Sequence, residues 1–294
     1  MAMTKGLKYV LFLLLAWGMF FPHQARASYP LTITDVRGKQ LVIKSRPQRI
    51  ISLLPSITEI LCSLGLEKQL AGRTAYCDYP PSIKSKPAVG DLFLDYEKII
   101  ALNPDLIVAE ESLRRADIPR LEKLGYPVLA VSSQDLAGLQ QTVRLIAQAA
   151  DRQKTAELLL GNLNLELEKI AKKTNSRPLS HRPRVLVEIQ LNPLISAGSG
   201  TYIDELLSLA GGRNMVGKIN GEYGEVNPEE VLKTDPEVIL LTTASPADLS
   251  ASPIWRHLSA VENRRVHSID PNLLVRPTLR VTQTLKQLQG WFYD

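Results

Sequence analysis

Leu94-Asp95-Tyr96-Glu97-Lys98-Ile99-Ile100-Ala101-Leu102-Asn103-Pro104-Asp105-Leu106-Ile107-Val108-Ala109 is answered, 132 positions further on, by Val226-Asn227-Pro228-Glu229-Glu230-Val231-Leu232-Lys233-Thr234-Asp235-Pro236-Glu237-Val238-Ile239-Leu240-Leu241. Each copy reads as a short helix with an acidic first turn, stopped by a proline and followed by an apolar run of strand length. A pattern written twice at this distance predicts two α/β lobes of similar plan. Two lobes imply a cleft, and a cleft implies a ligand.

Working outward, Thr58-Glu-Ile-Leu-Cys-Ser-Leu-Gly65 pairs in the same way with Ile203-Asp-Glu-Leu-Leu-Ser-Leu-Ala-Gly211. The longer tract from Tyr76 to Asp91 accounts for the change in offset between the two pairs of copies. Leu31 to Asp35 and Gln40 to Ile43 flank Arg37-Gly38-Lys39 as a small hairpin. A buried strand, Arg49 to Leu54, runs into Pro55-Ser56-Ile57-Thr58-Glu59, where Ser56 and Glu59 have capping-box spacing. Strands at 69–74, 106–109 and 128–131 alternate with helices, which is the order of a parallel sheet covered by helices. From Leu136 to about Lys173 the apolar spacing is helical almost without interruption, so a stiff helix carries the chain to the second lobe. The expected division is a signal peptide over 1–27, an N-terminal lobe over 28–148, an inter-lobe backbone helix over 149–176 and a C-terminal lobe over 177–294.

The N-terminus carries Lys5 and Lys8, an apolar run from Val10 to Phe21 and Ala25-Arg26-Ala27, the signature of a cleavable export signal. The run is shorter than the ~20 residues needed to span a bilayer. A periplasmic location follows as an expectation. Removing Lys5, Lys8 and Arg26 lowers the formal charge from +5 to +2, with no basic run of the kind that nucleic acid requires. Three histidines lie beyond the signal, His181, His257 and His267, and no nucleophile motif, phosphate loop or metal-binding repeat accompanies them. Neither an enzyme nor a metal site is expected. Cys62 and Cys77 are either a disulfide suited to an oxidising compartment or two buried small hydrophobes.

Ser52-Leu-Leu-Pro-Ser-Ile-Thr-Glu59, Gly72, Cys77-Asp-Tyr-Pro-Pro81, Val89-Gly90, the Glu97 to Asp105 copy and Pro228-Glu229-x-Val-Leu232 together resemble the helical-backbone substrate-binding proteins of ABC importers, the cobalamin and iron-siderophore family, and most of all its cobalamin-binding member. The likeness covers nearly all of Pro30 to Trp291. It implies two Rossmann-like lobes with parallel sheets joined by one long backbone helix, and a monomer that hands a small molecule to a membrane permease without chemistry or cofactor of its own. Cobalamin would be the transported ligand, with a ferric siderophore or haem as the alternative cargo and a sensory module without transport as a further reading.

Ligands of open parallel sheets collect at strand carboxyl ends beside helix N-termini. This places Pro55 and Ser56 in one lobe, and Gly198 and Ser199 in the other, at the cleft. A flat corrinoid ring wants aromatic faces with a few polar groups. By the resemblance Tyr76 and Tyr223, with Phe93, would supply the faces, and Asp270 and Arg276 the polar contacts. The family's arginine column is Leu274 here, and a cleft tryptophan is replaced by Glu110-Glu111. That acidic pair suits an amide-rimmed or cationic ligand, although paired glutamates are more commonly solvated. Glu97 and Glu229, one per lobe, match the glutamates that dock such receptors onto permease arginines. They also suit a helix first turn for reasons of its dipole alone.

Overall fold

The computed structural model describes residues 28–217 and 222–293. The signal peptide expected over 1–27 lies outside the described residues. The chain opens with a hairpin, β1 (Leu31–Thr34) and β2 (Gln40–Ile43), paired antiparallel around Arg37 to Lys39 as its sequence requires. β3 (Ile50–Ser52), α1 (Pro55–Ser63), β4 (Leu70–Arg73), α2 (Tyr96–Leu102), β5 (Leu106–Glu110), α3 (Asp117–Lys123) and β6 (Val128–Val131) then build the first lobe. Its sheet is parallel throughout, in the order β4-β3-β5-β6.

α4 (Leu136–Ala149) and α5 (Gln153–Asn175) lead to the second lobe. This comprises β7 (Arg184–Glu188), β8 (Ile195–Ala197), α6 (Tyr202–Ala210), β9 (Arg213–Asn214), β10 (Tyr223–Glu225), α7 (Pro228–Thr234), β11 (Val238–Leu241), α8 (Pro246–Ala251), α9 (Ser259–Glu262), β12 (Val266–Ser268), α10 (Pro271–Leu274) and α11 (Val281–Tyr293). The second sheet is also parallel, in the order β12-β11-β7-β9, and β8 with β10 forms a separate antiparallel pair.

The doubled sequence is doubled in structure. Asp95 and Asn227 cap α2 and α7 by accepting hydrogen bonds from the Lys98 and Glu229 amides, and both helices end in a left-handed residue, Asn103 and Asp235, ahead of the proline. Asp105 accepts from the Arg49 amide at 2.9 Å, and Glu237 accepts from the Arg184 amide at 2.9 Å, each fastening the start of the neighbouring strand. The same two arginines return a guanidinium to the carbonyls at the end of the helix, Leu102 and Asp235 respectively. A clasp of side-chain carboxylate and guanidinium thus holds strand to helix end in each lobe.

Sheet residues alternate between two faces, as the period of a strand dictates. Ile50, Leu106, Val108, Leu129 and Val131 share a core with Val185, Val187, Val238 and Leu240 of the other lobe, through Val143 and Ile146 of α4 and Leu160, Leu163 and Ile170 of α5. The opposite faces have cores of their own, around Ile51, Ile107 and Val128 in one lobe and Leu186, Ile239 and Leu241 in the other. One apolar mass therefore runs through both lobes and the helices between them.

Two details differ from the sequence reading, and one alternative that it left open is decided. The backbone helix covers Gln153–Asn175 rather than 149–176, because Ala150 to Arg152 turn the chain with Asp151 at φ 54°. The Ser56 and Glu59 capping box does not form: Leu54 is the N-cap, Pro55 takes the first helical position, and the Ser56 hydroxyl has no partner. Cys62 and Cys77 are not bridged. The Cys77 sulfur lies instead 3.1 Å from each of the Thr58 and Thr74 hydroxyls, and burial, followed by the charges of Glu67 and Glu59, pushes the Cys62 thiol up to about 12.

Candidate functional site

The first sheet presents its carboxyl ends to a cavity of about 410 Å3 between the lobes, which the second lobe faces with its helix starts and turns, within the ~300 to 1,000 Å3 usual for small-molecule sites. From the first lobe come the β3 to α1 turn with Leu54, Pro55 and Ser56, the end of β5 with Glu110, Ser112 and Leu113, and the end of β6 with Ser133 and Gln134. The second lobe supplies Gly200, Thr201 and Tyr202 at the start of α6, Glu222 and Tyr223 at β10, and Val275, Arg276 and Pro277 before α11. The first turns of α1 and α6 meet across this space, so backbone N–H groups and apolar walls face one another. Among the described residues no group of three or more His, Cys, Asp or Glu could hold a metal ion.

A second cavity, about 500 Å3, lies beside the hairpin near α3. Four of its five charged lining residues, Arg37, Lys39, Asp105 and Glu122, are partnered within the fold. Arg37 binds Asp35 and Glu122, and Lys39 binds Glu122, each at 2.6 to 2.7 Å.

Four of the residues expected from sequence line the inter-lobe cavity: Pro55, Ser56, Tyr223 and Arg276. Tyr223 is 46% exposed, leaving much of its ring open to a ligand, and burial, with the Glu222 charge added, raises its phenol above the usual range. Gly198 and Ser199 stand one step behind. The Gly198 amide donates to the Glu222 carbonyl and the Ser199 amide to the Gly217 carbonyl, so they shape the turn that presents Gly200 and Thr201. Tyr76 touches the site through its backbone, whose carbonyl accepts from Arg276 at 3.3 Å, while the residue is 56% exposed.

Phe93 and Asp270 lie off the lining. Phe93 is 86% exposed on a turn whose Asp91 and Leu92 carbonyls are gripped by Arg114. Asp270 caps α10, accepting from the Asn272 amide at 2.9 Å. Glu97 and Glu229 are exposed in the first turns of α2 and α7, one on each lobe.

Arg276 lines the cavity with its charge already matched. Its Nη1 lies 3.2 Å from Glu59 and 2.6 Å from Asp78, both in the first lobe. Arg280 reaches Glu59 at 2.8 Å, and its guanidinium covers the Tyr79 ring at 4.1 Å. Glu59, with a side chain only 3% exposed, thus joins the lobes through two arginines. Burial works to raise the Asp78 carboxyl, but the hydrogen bond and charge of Arg276 outweigh it and hold the group below its ordinary value. A further tie runs from Glu205 on α6 to the Leu136 amide at the start of α4, 2.9 Å away.

Two further polar residues stand in the wall: Glu110, which the sequence left open between cleft and solvent, and Tyr202, which it did not single out. Glu110 is 5% exposed, and burial pushes its carboxyl up to about 7, with the Ser132 hydroxyl and Ser133 amide opposing the rise and Glu111 adding to it. Its neighbour Glu111 separates from it and pairs with Arg115 at 3.1 Å. Tyr202 is buried and its phenol is raised by that burial, then by Glu205 and Tyr223. The strand alternation carries the signal for Glu110. It follows Leu106 and Val108 on the face turned toward the other lobe.

Comparison with known proteins adds the family. Residues 50–273 match the model of the periplasmic binding protein family. An uncharacterized ABC transporter substrate-binding lipoprotein, YvrC of Bacillus subtilis, is 29% identical over 271 residues, which is 90% of this chain and 86% of that protein. The periplasmic vitamin B12 binding protein BtuF of Vibrio cholerae superposes with a TM-score of 0.76 at 26% identity, covering 84% of this chain and 97% of that one. The periplasmic heme-binding protein RhuT of Roseiflexus sp. RS-1 superposes with a TM-score of 0.74, also at 26% identity, over 84% and 98%.

Proposed function

Because the chain belongs to the periplasmic binding protein family, whose members bind ligands for ABC importers and catalyse nothing, we propose that it is a periplasmic receptor that carries a corrinoid, cobalamin foremost, in the cleft between its lobes. The observation that carries this reading is the charge of the cleft. Its one lining arginine, Arg276, is already matched by Glu59 and Asp78, whereas Glu110 and Glu222 add negative charge. A ligand bearing carboxylates would find no unspent cation there. A neutral ring edged with amides finds Tyr223, Leu113 and Val275 for its face and Ser56, Glu110 and Tyr202 for its edge.

A haem or ferric-siderophore receptor is the second reading, and it is favoured by the equal identity of the vitamin B12 and heme binders. Calorimetric titration of the mature chain with cyanocobalamin, haemin and ferric siderophores separates the two. Binding of the corrinoid alone is expected; heat from haemin or a siderophore, with none from the corrinoid, overturns the choice. Delivery is assigned to Glu97 and Glu229 as permease-docking residues. Reversing both to Arg is expected to abolish uptake in cells while leaving ligand affinity unchanged, and a loss of affinity would return them to the cleft.

A further inference from the structure

Among the described residues three glutamates are buried, Glu59 in α1, Glu110 at the end of β5 and Glu188 at the end of β7, and two of them are fully occupied. Glu59 binds two arginines. Glu188 accepts from the Thr242, Thr243 and Ala244 amides and from the Thr243 hydroxyl, at 2.5 to 3.3 Å. Glu110 differs: its Oε1 is buried without a hydrogen-bond partner, and the residue lines the ligand cavity. Two more wall groups share that state, the Ser56 hydroxyl from the first lobe and the Tyr202 hydroxyl from the second. Buried polar atoms are nearly always satisfied in native proteins, so three unpartnered ones around one cavity point to a partner that comes from outside the chain.

The chemistry of the three is complementary. The Tyr202 phenol and the Ser56 hydroxyl can donate to a carbonyl oxygen, and a carboxylate can only accept. We propose that Glu110 is the specificity-determining residue of the cleft, accepting a hydrogen bond from a ligand carboxamide N–H whose carbonyl is taken by Tyr202 or Ser56, and repelling ligands that carry a carboxylate at this place. The proposal rests on the inter-lobe cavity being the binding site.

The Ser132 hydroxyl and the Ser133 amide favour the charged carboxylate of Glu110, but the groups around it leave Oε1 without a partner. Glu111 precedes Arg115 in an exposed pair, and Arg114 is held by the Asp91 and Leu92 carbonyls and by Asp117. Across the cavity stand Glu222, Tyr202 and Tyr223, with Arg276 bound to Glu59 and Asp78; β6 and the turn after it contribute only Ser132, Ser133 and Gln134. A ligand N–H selects the charged form of Glu110, so binding draws off a proton and tightens as pH rises through the carboxyl's range.

Calorimetric titration of the whole mature protein and its Glu110→Gln and Glu110→Asp variants tests this, after circular dichroism melts establish that each is folded. With the carboxyl at about 7, affinity for cyanocobalamin is expected to rise about thirtyfold from about pH 5.5 to about pH 8.5 in the native protein, as its charged fraction grows. The slope should persist in the Asp variant and vanish in the Gln variant. A flat profile in the native protein, or a slope retained by Gln, overturns the proposal. Haemin, a dicarboxylate, forms an independent arm: Glu110→Gln is expected to bind it at least about tenfold more tightly than the native protein does, and no gain overturns the repulsive role. Should cyanocobalamin give no heat at any pH, the corrinoid reading falls and the haemin arm alone decides the role of Glu110.

Discussion

Glu110 costs the empty protein stability, and the sign can be worked out. Its carboxyl titrates at about 7 when folded and at 4.5 in the reference state, so the folded protein holds this proton more tightly than the unfolded chain. Stability from this group is therefore greatest below about pH 4.5, falls as pH rises toward 7, and is level beyond it. At about 1.36 kcal/mol per unit, the loss is on the order of 3 kcal/mol at pH 8. Urea unfolding of Glu110→Gln should show a gain approaching that size at pH 8 and almost none at pH 4; equal gains at both would mean that charge is not the cause. Sequence left the Glu110-Glu111 pair open between cleft wall and solvent, because nothing in a dipeptide says which member follows the strand inward. Ser56 was expected both as a cap and in the cleft, and only the second holds: Pro55 at the first helical position displaces the cap by two residues, leaving the hydroxyl in the cleft wall.

At the level of elements the doubled stretch was almost fully legible. Asp95 and Asn227, the left-handed stops at Asn103 and Asp235, and the strands Leu106–Glu110 and Val238–Leu241 all sit where the repeat puts them. β6 falls on its expected residues throughout. Asp95→Ala and Asn227→Ala should each cost about 1 kcal/mol, the usual worth of an N-cap. Because the two caps lie in different lobes and share no partner, the double variant should lose the sum; chemical unfolding of the single and double variants measures it, and marked non-additivity would argue against independent caps. The break between α4 and α5 was not legible. It is made by Asp151 in a left-handed conformation, without the glycine or proline that normally announces such a stop, inside an otherwise unbroken helical spacing.

For the molecule as a whole, the lobes are one apolar mass rather than two bodies on a flexible linker. α5 contributes Leu160, Leu163 and Ile170 to the shared core, Glu205 holds the start of α4, and Glu59 joins Arg276 and Arg280 across the junction. Removing Glu59 strands Arg280 and leaves Arg276 with Asp78 alone, and breaking a buried pair typically costs about 3 to 5 kcal/mol. Glu59→Ala should lower the thermal midpoint far more than Glu97→Ala, whose carboxylate is exposed in a helix first turn; similar shifts in the two variants would remove Glu59 from its linking role. The cleft, its position at the strand ends and its two-lobed plan followed from the repeat. Which side chains fill its wall did not, since those residues lie in connections that the two halves do not share.

The shared core and the Glu59 junction have a kinetic consequence. Lobes fastened at several points do not need to swing apart to admit a cargo, so the cleft is loaded through its standing rim, and the encounter rate should grow in proportion to cargo concentration without saturating at the pace of a domain motion. Unloading is the harder direction. A tied pair of lobes does not spread by thermal motion alone, so in the proposed delivery role the work of prying them apart would fall to the importer.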